Sequence, residues 1–149
     1  MPVTDDIVAA FRAYLSEDTE QWHRRLTALD LDNAPATSRA HFAFLTALFA
    51  MAVERRFTVN TTRDEIIDFV ADLRSRDEKI AERLDPDATE RMIAMVFDDS
   101  VETDDIPRMQ TIGIRMGVLT LIIREGGLDS AELEDFLEKS RAFANEILG

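Results

Sequence analysis

Each interruption of the apolar pattern in this chain coincides with a residue able to cap a helix, and this constrains the fold more than any other feature. Thr4, Asp18, Thr62, Asp85 and Asp129 each precede a run of apolar residues spaced three and four apart. Side-chain oxygens at such points accept from the backbone N–H groups that a helix start leaves open. Asp18 with Gln21, Thr62 with Glu65, and Asp129 with Glu132 have capping-box spacing, which satisfies two backbone groups at once. No window sustains the period-two alternation of β-branched and aromatic residues that a strand requires, so no strand is predicted.

The pattern predicts helices over 4–16, 18–31, 38–57, 62–84 with a break near Ser75, 85–97, 107–124, and from Asp129 to the C-terminus. Pro86 and Pro107 fall in first turns, where a missing N–H costs nothing, and Gly126 and Gly127 supply a C-cap. The expectation is an all-α chain forming one domain over 1–149. It is a single compact bundle of six to eight helices, with central apolar helices at about 38–57 and 107–125.

Composition bounds the function classes. The chain has no cysteine, which excludes disulfides, thiol chemistry and thiolate metal sites. Asp5 and Asp6 stand where a secretory signal needs basic residues. The longest nearly uncharged stretch, 40–53, falls short of a membrane span. These features suit a cytoplasmic protein, and arginine used far more than lysine suggests a bacterial source. Net charge is −13, and it is unevenly spread: residues 85–138 hold fourteen acids against four bases. Such a field repels nucleic acid and anionic lipid, and favours a protein partner with a basic surface.

Candidate chemistry is sparse. Glu20 and His23 share the Glu-x-x-His spacing of di-iron bundles, but the second histidine, His41, has no such partner in sequence. His41 lies in the most apolar predicted helix, where a neutral imidazole hydrogen-bonded to a neighbouring carbonyl or hydroxyl accounts for it. The segment from Asp98 to Asp105 is acid-rich, but Thr103 and Met109 occupy the positions where a calcium loop needs Gly and Glu. Asp64, Asp68 and Asp72 form an i, i+4 stripe best read as a solvated face. Ser16, Ser38, Ser75, Ser100, Ser130 and Ser140 are assigned to helix ends, breaks or exposed positions, outside any nucleophile motif. No catalytic, cofactor or metal residues are assigned, and no enzyme activity is expected.

The helix at 107–125 combines a Gly113-x-x-x-Gly117 step, suited to close helix approach, with a polar face that turns apolar after Arg115. Either it enters the centre of the fold, or Arg115, Val118, Leu121 and Ile122 contribute to an interface for a homodimer or another partner. A buried Arg115 would need a carboxylate, with Glu54 and Asp98 as candidates. The functional expectation is a non-enzymatic interaction or regulatory module, self-associating and acidic. The alternative is a small-molecule-binding bundle whose pocket is lined by His41, Phe42, Phe49, Met92, Met95 and Met116.

Overall fold

The computed structural model describes every residue, Met1–Gly149. It is all-helical, with eight helices and no strand: α1 Asp5–Leu15, α2 Thr19–Leu29, α3 Pro35–Arg56, α4 Arg63–Ser75, α5 Glu78–Arg83, α6 Pro86–Met95, α7 Arg108–Gly126 and α8 Ser130–Leu148. The capping residues start the helices expected of them. Thr4 accepts from the Ile7 N–H, Asp18 from Gln21, Thr62 from Glu65 and Asp85 from Ala88. Asp129 and Glu132 complete a reciprocal capping box. Gly127 follows α7 at φ +59°, the left-handed conformation in which glycine has no Cβ to clash.

One boundary differs from the sequence reading. The third helix begins at Pro35, three residues before Ser38, because proline is pre-shaped for a first helical turn and the Ala34 carbonyl accepts from the Ser38 N–H at 2.9 Å. The break expected near Ser75 in 62–84 is present: α4 ends at Ser75, and Asp77 adopts extended backbone and caps α5 by accepting from the Lys79 N–H at 2.7 Å.

The chain divides into two units, Met1–Met51 with Ile123–Gly149, and Ala52–Ile122. In the first, Phe11 of α1 is 1% exposed and meets Phe44 edge to face, with centroids 5.4 Å apart. Polar ties fasten α1 and the residues before it to α8. Arg12 grips Glu134 with two N–H groups, Asn145 Oδ1 accepts from the Val3 N–H at 2.8 Å, and Arg141 donates to the Val3 carbonyl and to Asp5. The Arg12 contact holds the Glu134 carboxyl below its ordinary pKa.

Helix α2 packs on α1 yet has no fully buried residue; Trp22, Leu26 and Leu29, spaced three and four apart on one face, are only half-buried. Its flanking residues Glu17 and Asp30 both have positive φ, 61° and 50°.

In the second unit, α4 packs on α5 and α6. Arg74 reaches from α4 to the carbonyls of Leu84 and Ala81, at 2.9 and 3.1 Å, satisfying acceptors that the end of short α5 leaves open. Phe57 and Phe69 meet edge to face at 5.1 Å, and the Arg56 guanidinium lies over both rings, a cation–π arrangement.

Helices α3 and α7 contribute many of the buried side chains, as their all-round apolar sequences require. By length and mean hydropathy α3 is apolar enough to cross a membrane, but half of the apolar window is buried by the chain itself. Packing inside a protein accounts for the same composition.

The Gly113-x-x-x-Gly117 step does not admit another helix backbone. A Cβ at Gly117 would meet only the tip of the Leu84 side chain, at 3.3 Å, and one at Gly113 would meet nothing within 4 Å. Gly113→Ala is therefore expected to stabilise the protein by about 0.5 to 1 kcal/mol, the helix-propensity difference alone. Denaturant unfolding followed by circular dichroism reads it, and a loss of stability would show that the open space is used.

Candidate functional site

The most prominent concavity lies wholly within the second unit. It is an open groove of about 820 Å³ bounded by the turn before α4, the start of α4, one side of α6 and the segment after α6. Helical spacing explains the α6 side: Asp87, Glu90, Arg91 and Ala94 recur three and four apart and so share a face. Opposite them stand Thr58, Val59, Thr61, Arg63 and Ile66.

The turn is built from its own hydroxyls. Thr61 Oγ1 accepts from the Thr58 N–H at 2.8 Å, and Thr58 Oγ1 from the Asn60 N–H at 3.2 Å. Val59 is left 75% exposed at its tip, an unusual position for a β-branched apolar residue.

Arg91 organises the other wall. Its guanidinium donates to Asp87 at 3.0 Å, to the Glu102 carbonyl at 2.9 Å, and to both Asp105 oxygens at 2.8 and 3.2 Å. This raises the Arg91 pKa and lowers that of Asp105, mainly through their shared hydrogen bond. One arginine thus fastens the acidic segment to α6. Within that segment Asp98 accepts from the Ser100 hydroxyl and N–H, which lowers its pKa.

Phe97 and Val101, half-buried, add apolar surface. The result is an apolar strip of Val59, Ile66, Ala94, Phe97 and Val101 beside the carboxylates Asp87, Glu90, Asp98 and Glu102. Glu90 is half-buried on this wall, and neither its carboxylate nor that of Glu102 makes an ion pair.

A smaller concavity of about 430 Å³ lies in the first unit, between the end of α1, the end of α7 and the start of α8. The Arg124–Glu17 ion pair, 2.8 Å, lies among its lining residues.

None of the six residues expected to line a ligand pocket borders either concavity. His41, Phe42 and Phe49 belong to the first unit, and Met92, Met95 and Met116 to the second. Phe49 and Met92 are core residues, 3% and 1% exposed. His41 stacks on Phe11, centroids 4.9 Å apart, instead of being held by a neighbouring carbonyl or hydroxyl. Burial pushes its pKa down to about 4.

The expected interface is also placed differently. Arg115, Val118, Leu121 and Ile122 are 9, 0, 6 and 5% exposed, so they present no apolar patch to a second copy. An all-round apolar helix hides these side chains inside the fold. Desolvation lowers the Arg115 pKa. Of the two carboxylates suggested for it, Glu54 is exposed and Asp98 is engaged with Ser100.

The remaining motifs resolve into local structure. Glu20 pairs with Arg24, His23 lies against Trp22, and Asp72 pairs with Arg76 while Asp64 and Asp68 face solvent. No three carboxylates or histidines converge as metal ligands would. Ser140, expected to be exposed, is fully buried, and its Oγ has no hydrogen-bond partner and hence no base to activate it.

The chain matches no family model, no curated protein and no solved structure.

The groove was missed in the sequence because its residues come from three separated stretches. The signals were present but weak: an apolar Val59 within a Thr-rich turn, and Phe97 and Val101 bracketing acids.

Proposed function

We propose that the protein is a non-enzymatic interaction module whose groove in the second unit docks a basic segment of a partner protein. The observation that carries this reading is the pairing of an apolar strip with carboxylates at Glu90 and Glu102 that have no cation of their own. A lysine or arginine beside an apolar side chain complements both features. The strip supplies about 1.5 to 3 kcal/mol for one well-buried apolar anchor, and each solvent-accessible ion pair adds at most about 1 kcal/mol. Docking of one short segment is accordingly weak and reversible, and it weakens with added salt.

Self-association through α7 forms no part of the proposal, because those side chains are interior. The exposed large apolar residues, Met1, Val59, Ile67, Met109, Phe143 and Ile147, come from several different elements.

Display of random peptides against the full-length protein tests the reading. Enriched sequences are expected to carry Lys or Arg next to an aliphatic or aromatic residue. The double variant Glu90→Lys, Glu102→Lys is expected to bind them at least about tenfold more weakly, since attraction becomes repulsion at two positions. Enrichment of acidic peptides, or unchanged binding by the double variant, would overturn it.

A second reading, binding of a small molecule, has the groove's size in its favour, since about 820 Å³ lies in the range of ligand sites. Its chemistry would then be that of a cationic amphiphile, the same complement to apolar strip and acid.

A further inference from the structure

The groove is not acidic all round. Arg63 lines it on the α4 side and makes no ion pair, while Asp87, Glu90, Asp98 and Glu102 lie on the side of α6 and the segment after it. The position of Arg63 is not explained by the needs of its own helix. It is the first residue of α4, next to the positive end of the helix dipole, where an arginine is electrostatically unfavourable and an acid is preferred. Asp64 and Glu65, which follow it, are the residues that suit that end. An exposed cation set against the local preference, on the margin of an otherwise acidic groove, supplies a second charge for recognition.

We infer that the docked segment carries charge of both signs: a lysine or arginine facing Glu90 and Glu102, a carboxylate facing Arg63, and an apolar side chain between them on Val59, Ile66, Phe97 and Val101. This rests on the docking reading above and deepens it by fixing the direction in which the segment lies. A basic segment without the carboxylate docks through one wall only. One with the order of charges reversed meets like charge on both sides, which costs affinity and excludes it.

Fluorescence anisotropy with the full-length protein and four labelled synthetic peptides tests the inference. All share a leucine-rich centre. One has lysines at its N-terminal end and glutamates at its C-terminal end, a second has the two ends exchanged, a third replaces the glutamates of the tighter of these two by glutamine, and a fourth replaces its lysines by glutamine.

One order of charges is expected to bind about three- to fivefold more tightly than its glutamate-free counterpart, the scale of an accessible ion pair. Arg63→Gln is expected to erase that difference without weakening the binding of the glutamate-free peptide. Glu90→Gln with Glu102→Gln is expected to weaken both. Equal affinity for the peptides with and without glutamate, or a difference that survives Arg63→Gln, overturns the inference but leaves the docking reading standing. If no lysine-bearing peptide binds better than the lysine-free one, the docking reading fails and the inference fails with it.

Discussion

Phe11→Ala is expected to cost about 3 to 5 kcal/mol of stability, the usual range for emptying a buried aromatic site. Phe11 is 1% exposed and touches two rings at once, Phe44 edge to face and His41 in a tilted stack. Its loss therefore removes both aromatic contacts along with the buried area. Against a typical total of about 5 to 15 kcal/mol, a loss of this size leaves a substantial fraction unfolded on mild heating.

The same substitution has a second, independent readout. Only desolvation depresses the His41 pKa, so a variant that admits water beside the imidazole raises that pKa from about 4 towards the ordinary histidine value. Unfolding followed by circular dichroism measures the first effect, and NMR titration of the imidazole the second. A stability loss below about 1 kcal/mol, outside the range for buried aromatic truncation, would show that Phe11 is not the keystone of these contacts.

His41 also gives the protein a pH dependence that can be isolated. Its pKa is near 6.5 in an unfolded chain and is pushed down to about 4 in the fold, so between those values the unfolded state binds more protons. Stability from this group is then fully present above about pH 6.5, declines as pH falls through the window, and levels off near pH 4. The full decline is about 1 to 3 kcal/mol, with partial solvent access reducing the upper figure.

Carboxylates held below their ordinary pKa, Asp98, Asp105 and Glu134, lose their own contribution in the acid part of the same range. The comparison of wild type with His41→Phe cancels them, because a phenyl ring preserves the stack on Phe11 but does not titrate. The expected result is a flatter stability profile for the variant between pH 6.5 and 5, read from urea midpoints at each pH. Parallel profiles would refute it. The readout is the slope, so a uniform offset from the larger ring does not affect it.

The parts of this structure that were legible in the sequence are those written locally. An N-cap depends on one side chain and a backbone group two or three residues away, so Thr4, Asp18, Thr62, Asp85 and Asp129 announce themselves without any tertiary information. The one misplaced boundary has the same local origin: Pro35 and Ser38 both suit a helix start, and the helix begins at the earlier of them.

Burial of α7 was legible as one of two alternatives, because an apolar helix face reads identically whether it meets the chain's own core or a second molecule. The site was not legible. Its walls come from residues 58–66, 87–94 and 97–102, and periodicity carries no information about which stretches converge. The acidic excess of residues 85–138 was visible, but not that Arg91 engages Asp87 and Asp105 while Glu90 and Glu102 make no ion pair.

The construction of α2 has a consequence for how all of this is measured. The helix is entered and left through left-handed non-glycine residues, a backbone conformation costing roughly 1 kcal/mol each, and it buries no residue completely. Local detachment of this helix while the rest of the chain stays folded is therefore expected. The helix also carries Trp22, the chain's sole tryptophan, packed 4.8 Å from the chain's sole tyrosine, Tyr14. Intrinsic fluorescence is thus a spectator of one loosely held helix. A tryptophan melting curve will lead the circular-dichroism curve, and the gap between them measures the free energy of that local detachment.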